Sequence, residues 1–173
     1  MAESNGKSRV IDIAWSWKWP DLGCEILVSA SVVEVLNRYR QVGPNPERGG
    51  QLFVDPLNPV GLVLADASTP NPADQVGRSW IDMDSSRCRR EVVHANSKGM
   101  RLVGYWHTHP QIIPHISRTD IESFRRFSTA YNHELPHPIA VIVGTSRKAN
   151  GIRVWSFRDG RYIEGVRSGY GGN

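Results

Sequence analysis

Residues 101–120 read RLVGYWHTHPQIIPHISRTD, and this stretch holds most of what the sequence says about fold and function. Its first part is an apolar strand that leads into two histidines. Alternate side chains of a strand point to the same side, so His107 and His109 can direct two imidazoles at one point. A loop over 110–116 then leads to a predicted helix that covers about 117–131.

Asp120 lies about one turn into that helix, so its carboxylate can return to the same point. Two imidazoles and one carboxylate make a three-ligand site with an open fourth position, the pattern of catalytic zinc. At these offsets, two His, one Ser and one Asp arise by chance about once in a thousand such chains. A second interpretation stays open, in which Ser117 and Asp120 only cap the helix and the histidines are ordinary strand-end residues.

Length and composition favour one globular domain. The chain has 173 residues, of which 39% are hydrophobic, and a net charge of +4. This size allows one substantial core. The basic residues are scattered and no basic run is interleaved with aromatics, so we predict no nucleic-acid partner.

The predicted location is the cytoplasm. Cys24 and Cys88 form no CxxC motif, so neither a disulfide framework nor a thiolate metal site is predicted, which fits a reducing compartment. The first residues lack the apolar stretch of a signal peptide, and no apolar run approaches the roughly 20 residues that cross a bilayer. We therefore predict a soluble protein with no membrane partner.

Hydrophobic periodicity predicts an α/β (α+β layered) domain with a central mixed β-sheet flanked by helices. Residues 10–19 alternate, which predicts a strand whose Trp15, Trp17 and Trp19 pack against the domain; a partner-binding patch is the second interpretation. Residues 68–78 are predicted to form an exposed loop. The other predicted elements are strands near 25–28, 50–54, 60–67, 139–143 and 152–157, a helix over about 29–40, and a helix over 85–97 with Cys88, Val92 and Val93 inward.

The spacing His-x-His-x7-Ser-x2-Asp resembles that of the JAMM (MPN+) metalloprotease family and, within it, the prokaryotic JAB branch. The resemblance covers the chain from about Glu25 to Phe157. It implies a glutamate upstream, next to a Gly-Gly that enters a strand, and Glu47-Arg-Gly49-Gly50 fits that pattern. Without the family, Glu47 would be an exposed loop carboxylate. The glycines are expected to allow a close backbone approach near the site.

The resemblance also implies domain boundaries and residue roles. Residues 25–165 would form one JAMM/MPN-like domain, 1–24 an N-terminal extension with the Trp-rich strand, and 166–173 a flexible tail. His107, His109 and Asp120 would bind Zn²⁺. Glu47 would act as general base and Ser117 would donate a hydrogen bond to the oxyanion, which makes these two the implied catalytic residues.

The implied function is that of a zinc-dependent isopeptidase, a deubiquitinase-like hydrolase. It would cleave after the C-terminal residue of a ubiquitin-like or other conjugated protein, or process its precursor, in a bacterial conjugation or antiphage defence system with E1-like and E2-like partners. Two alternatives stay open. One is a peptidase for sulfur-carrier or small-molecule substrates, and the other is a non-catalytic scaffold of the MPN type.

Overall fold

A mixed β-sheet of nine strands forms the centre of the computed structural model, which describes residues 10–131, 133 and 137–169. The strands are β1 (Ile13–Trp19), β2 (Cys24–Ser29), β3 (Gly49–Asp55), β4 (Val63–Ala67), β5 (Gln75–Gly77), β6 (Trp80–Asp82), β7 (Arg101–Thr108), β8 (Ile139–Val143), β9 (Ile152–Arg158), β10 (Arg161–Glu164) and β11 (Val166–Gly169). The α-helices are α1 (Ala30–Arg38), α2 (Ser85–Ser97) and α3 (Arg118–Ala130).

The order of strands in the large sheet is β10-β9-β8-β7-β3-β4-β2-β1-β11. The pairs β2–β4 and β7–β8 are parallel, and the other pairs of this sheet are antiparallel. The predicted α/β class with a central mixed sheet is therefore confirmed. Strand β7, which carries the histidine motif, lies in the middle of the sheet between β3 and β8.

The two faces of β8 bury two hydrophobic clusters. Ile139, Val141 and Val143 belong to the larger cluster, whereas Ala140 and Ile142 belong to a smaller one that includes Phe124 of α3. A strand that is buried on both faces is a continuous apolar run, as the sequence IAVIV shows. The histidine-bearing strand β7 is thus paired with a strand whose five residues are all buried.

The tryptophans of β1 lie in the larger core cluster. Trp15, Trp17 and Trp19 are buried, which confirms the prediction that they pack against the domain. Because β1 pairs with both β2 and β11, the strand of the predicted N-terminal extension belongs to the same sheet as the predicted domain. Residues 1–9 of the predicted extension lie outside the described residues.

Three local predictions need correction. The predicted flexible tail begins at residue 166, but Val166–Gly169 form strand β11; residues 170–173 lie outside the described residues. The predicted loop 68–78 contains β5, which pairs with β6 in a separate two-stranded hairpin. Val93 is exposed rather than inward, and the buried residues of α2 are Arg87 and Ala95.

None of the helices in the described part of the chain is long and apolar enough to cross a membrane.

Candidate metal centre

Strand β7 delivers the two histidines to one side of the sheet. His107 lies near its end, and the chain continues to His109, whose backbone N–H donates to Val143 O at 2.9 Å. Thr108 N–H donates to Arg48 O at 2.8 Å, so the backbone stays in register with both neighbouring strands. Trp106 points the other way, where its indole N–H donates to Ser68 O. Both imidazoles are buried, as the strand alternation predicts.

Three side-chain groups converge at this point. The Nε2 atoms of His107 and His109 are 3.1 Å apart. Asp120 places Oδ1 3.0 Å from His107 Nε2 and Oδ2 3.3 Å from His109 Nε2. Zinc bonds of about 2.0–2.1 Å in a tetrahedral arrangement separate neighbouring ligand atoms by about 3.3 Å. The three groups therefore fit a zinc ion in both donor type and spacing.

The start of α3 holds Asp120 in place. Ser117 Oγ accepts a hydrogen bond from Asp120 N–H at 3.1 Å, and Ser117 N–H donates to Asp120 Oδ2 at 2.8 Å, which completes a capping box. The Ser117 hydroxyl also donates to the same carboxylate oxygen at 2.6 Å. The Asp120 carboxylate therefore both caps α3 and contacts the two histidines.

Glu47 lies beside the histidine pair and is 4% exposed, contrary to its expected position on an exposed loop. The β5–β6 hairpin covers it, and Glu47 N–H donates to Gly77 O at 2.8 Å. Its Oε1 is 3.9 Å from His109 Nε2. Burial raises the pKa of Glu47 to about 7, with His109 opposing and Asp120 adding to the shift. A carboxylate with that pKa is suited to accept a proton near neutral pH.

Charge in the centre is divided between Asp120 and His109. Burial would raise the pKa of Asp120, but hydrogen bonds from His107 and His109 hold it well below its usual range. Burial would lower the pKa of His109, but its hydrogen bond to Asp120 and the charges of Asp120 and Glu47 raise it. The centre therefore stabilises a positive charge beside the Asp120 carboxylate, which either a proton on His109 or a bound divalent cation would supply.

Two carboxylates flank the histidines, so the third ligand has to be assigned between them. One ligand atom each from Glu47, His107 and His109 lies within 4.8 Å of the others. Asp120 is closer, with contacts to both histidines at 3.0 and 3.3 Å, whereas Glu47 is 3.9 Å from His109. The distances favour Asp120 as the third ligand, because the Glu47 carboxylate lies farther from the histidine nitrogens.

The centre opens into a cleft of about 720 Å³, which is within the usual size of ligand sites. Glu47, Ser117 and Asp120 line its inner end. Residues 79–83 of the hairpin form one wall, and α3 forms another through Ser123, Phe124 and Phe127. The sequence reasoning missed this aromatic face, although the helical spacing of Phe124 and Phe127 from Asp120 would have indicated it.

The Gly-Gly after Glu47 permits close packing against the histidine strand. A Cβ on Gly49 would lie 2.5 Å from Trp106 O, and a Cβ on Gly50 would collide with Ser68 O. These contacts confirm the expected close backbone approach.

Residues 29–158, more than half of the chain, match the protein family described as prokaryotic homologs of the JAB domain. The chain belongs to this family. The resemblance to the prokaryotic JAB branch is therefore confirmed.

Two curated relatives of this JAB-domain chain bear the name CD-NTase/cGAS isopeptidase. The relative from Escherichia coli is 28% identical over 107 residues, which cover 60% of this chain and 69% of the relative. The relative from Vibrio cholerae serotype O1 is 35% identical over 107 residues, which cover 60% and 68%.

The fold described above is also found among solved structures. A protein from Desulfitobacterium hafniense, whose structure was determined in solution, matches with a TM-score of 0.58 and 19% identity over 80% of this chain and 88% of that chain. At this identity the likeness shows the fold alone.

Proposed function

We propose that this JAB-domain chain is a zinc-dependent isopeptidase that releases a protein joined through its C-terminus to an amine of a target. The observation that carries the proposal is the convergence of His107, His109 and Asp120 beside the buried Glu47 at the inner end of an open cleft. The names of the two relatives support a CD-NTase/cGAS protein as the conjugated partner. The antiphage context and the E1-like and E2-like partners remain part of this proposal.

The two imidazole Nε2 atoms and the Asp120 carboxylate would hold the zinc ion. When bound, zinc supplies Lewis-acid chemistry that lowers the pKa of water to about 7 and polarises a carbonyl. The cleft supplies the access that the substrate needs, because His107 and Asp120 line it together with Glu47 and Ser117.

Glu47 is the proposed proton carrier. Its carboxylate takes a proton from the attacking water as the water oxygen bonds to the scissile carbonyl carbon. As the carbon–nitrogen bond breaks, Glu47 delivers that proton to the departing amine nitrogen. Its pKa of about 7 suits both halves of this transfer.

Ser117 is the proposed donor to the developing oxyanion. Its hydroxyl hydrogen points to Asp120 Oδ2 at 2.6 Å. To serve the oxyanion the hydroxyl must rotate, and Asp120 then keeps the hydrogen bond from the Ser117 backbone N–H. Water is the nucleophile in this mechanism, so no acyl-enzyme forms, and Cys88 has no chemical role although it lines the cleft.

No feature of the described residues favours a sulfur-carrier peptidase or a non-catalytic scaffold over the isopeptidase. A non-catalytic scaffold would not require His107, His109 and Asp120 to converge. The sulfur-carrier alternative differs in substrate and not in the chemistry of the site.

The test compares wild type, Glu47→Gln and Asp120→Asn, with bound zinc measured by atomic emission and release measured on a CD-NTase/cGAS-class protein joined to a lysine side chain. We expect Glu47→Gln to keep zinc and lose cleavage, and Asp120→Asn to lose both. Glu34→Gln, on the exposed face of α1, is the matched control.

The reverse pattern, with zinc lost in Glu47→Gln and kept in Asp120→Asn, would exchange the roles of the two carboxylates. Absence of zinc from reconstituted wild type would overturn the metal site, and zinc without release of the conjugate would overturn the proposed substrate.

A further inference from the structure

Gln41 is a buried amide three residues beyond the end of α1, and it contacts three segments around the metal centre. Its Nε2 donates to Asn45 O at 2.7 Å and to Arg78 O, in the turn of the β5–β6 hairpin, at 2.9 Å. Its Oε1 accepts a longer hydrogen bond from Thr108 Oγ1 at 3.5 Å. One side chain therefore joins residues 45–48, which we call the base segment, to the hairpin and to the histidine strand.

The neighbouring groups fix how the Gln41 amide is oriented. Two carbonyl oxygens lie beside one end of the amide, so that end is the nitrogen, which has two hydrogens to donate. The other end is then the oxygen, which faces the Thr108 hydroxyl. Gln41 is 1% exposed and Thr108 is fully buried. The amide therefore directs all of its hydrogen-bonding groups at protein partners near Glu47.

The backbone of Glu47 is held on both sides by groups next to these partners. Glu47 N–H donates to Gly77 O at 2.8 Å, beside the hairpin carbonyl that Gln41 contacts. The following N–H, that of Arg48, donates to Thr108 Oγ1 at 3.0 Å, while the hydroxyl hydrogen of Thr108 points to Gln41. Gln41 therefore supports both hydrogen bonds that fix the peptide groups on either side of the Glu47 side chain.

The proposed metal ligands are held by other contacts. His107 lies within β7, between β3 and β8, and His109 N–H donates to Val143 O. Asp120 belongs to the capping box of α3. Loss of the Gln41 amide should therefore loosen the base segment and leave the three ligands in place.

We propose that Gln41 is a positioning residue for the proposed general base, and that its amide holds the Glu47 carboxylate at the distance from the histidines that catalysis requires. The lining of the main cleft includes Glu47 but not Gln41, so Gln41 acts through Glu47 and not on the substrate. A displacement of about 1 Å can lower a rate by about 100-fold. This proposal rests on the proposed isopeptidase function, in which Glu47 carries the proton.

The first measurement is amide hydrogen exchange, which needs no substrate. Gln41→Met keeps the length of the side chain and removes its amide. We expect the Glu47 and Arg48 amides to exchange at least about tenfold faster in this variant than in wild type, because the groups that accept their hydrogen bonds are no longer supported. The His109 amide, which donates to Val143 O, should exchange at the wild-type rate.

The matched control is Gln51→Met. Gln51 is also a buried glutamine, and its Nε2 also donates two hydrogen bonds, to Cys88 O and to Glu91 Oε2. Both of these partners belong to α2. Gln51→Met should lower the free energy of unfolding as Gln41→Met does, but it should leave the exchange of the base-segment amides and kcat unchanged.

The second measurement is steady-state cleavage of a CD-NTase/cGAS-class protein joined to a lysine side chain, with bound zinc determined on the same samples. In Gln41→Met we expect kcat and kcat/KM to fall together by about 10- to 100-fold, with KM within about threefold of wild type. The zinc content should not change, because the ligands are held independently.

Thr108 provides a second pair of variants. Thr108→Val removes the hydroxyl that accepts from Arg48 N–H, so it should also speed exchange of the Arg48 amide and lower kcat. Thr108→Ser keeps the hydroxyl and should keep most of kcat. The comparison of these two variants keeps the proposal testable if Gln41→Met fails to fold.

Unchanged exchange in Gln41→Met, or faster exchange with wild-type kcat, would overturn the positioning role and leave the isopeptidase function standing. A fall in kcat together with loss of zinc would also overturn it, because Gln41 would then act on the metal ligands. Failure of wild type to cleave the conjugate, with Glu47→Gln indistinguishable from it, would overturn the proposed function and the positioning role with it.

Discussion

The imidazole Nε2 atoms of His107 and His109 face each other at 3.1 Å, and the Asp120 carboxylate contacts both. Two lone pairs cannot face each other stably at this distance, so a proton or a metal ion has to occupy the point between them. The pair therefore forms a site in which protons and metal compete.

Zinc affinity should fall as the pH is lowered. His109 must lose its proton to bind metal, and its pKa lies above its ordinary value of about 6.5. Asp120, with its depressed pKa, stays ionised and contributes no proton. Below the raised pKa of His109, the zinc Kd should rise about tenfold per pH unit for each proton displaced. Chelator competition between pH 8 and 6 measures this, and a Kd that does not change across the range would contradict it.

Loss of one motif histidine should remove the metal. His107→Ala leaves two protein ligands, too few for a catalytic zinc site, so we expect less than one tenth of the wild-type zinc content after dialysis. His115→Ala is the matched control, because His115 is exposed in the loop between the ligands, 3.2 Å from Arg153 Nη1. Equal zinc in the two variants would show that the ion binds elsewhere.

Ser117 combines helix capping with a proposed catalytic role, and two substitutions separate them. Ser117→Ala removes the cap and should lower the free energy of unfolding by about 1 kcal/mol, whereas Ser117→Gly should lower it by only a few tenths. Both remove the hydroxyl, so both should lower kcat by about 100-fold or more. Urea unfolding and steady-state rates measure the two effects. If kcat falls only in the less stable Ser117→Ala variant, Ser117 has the capping role alone.

The buried pair of Arg87 and Asp74 should be among the most sensitive positions of the fold. Arg87 Nη2 lies 2.9 Å from Asp74 Oδ2, and both side chains are 1% exposed. Arg87→Met leaves Asp74 buried without its partner, which should lower the free energy of unfolding by about 3–5 kcal/mol. Arg38→Met breaks the exposed pair with Glu34 and should change the free energy of unfolding by less than about 1 kcal/mol. Similar values from urea denaturation of the two variants would argue against a structural role for the buried pair.

Segments with a regular spacing of hydrophobic residues made much of the fold predictable from the sequence. The helix over 85–97 has the predicted bounds, and the alternation around His107 and His109 correctly predicted two imidazoles on one side of a strand. Both patterns depend on local backbone geometry, which the sequence encodes within a few residues.

The features that the sequence missed depend on contacts between distant segments. Burial of Glu47 comes from a hairpin with strands of only three residues, which are too short for a periodic signal. Strand β11 (VRSG) is a short, mostly polar strand at the edge of the sheet, and only pairing with β1 defines it. Val93 is outside because α2 packs through the charged Arg87 as well as through Ala95.

The hydrogen bond from Glu47 N–H to Gly77 O ties the hairpin to the residue that we propose as general base. Gln41 Nε2 strengthens this link, because it donates to Asn45 O on one side and to Arg78 O on the other. Exchanging residues 75–82 for the hairpin of a relative would therefore alter turnover along with substrate choice. For engineering, we expect that the hairpin cannot be exchanged independently of Glu47, because any transplanted hairpin has to supply the carbonyl to which Glu47 N–H donates.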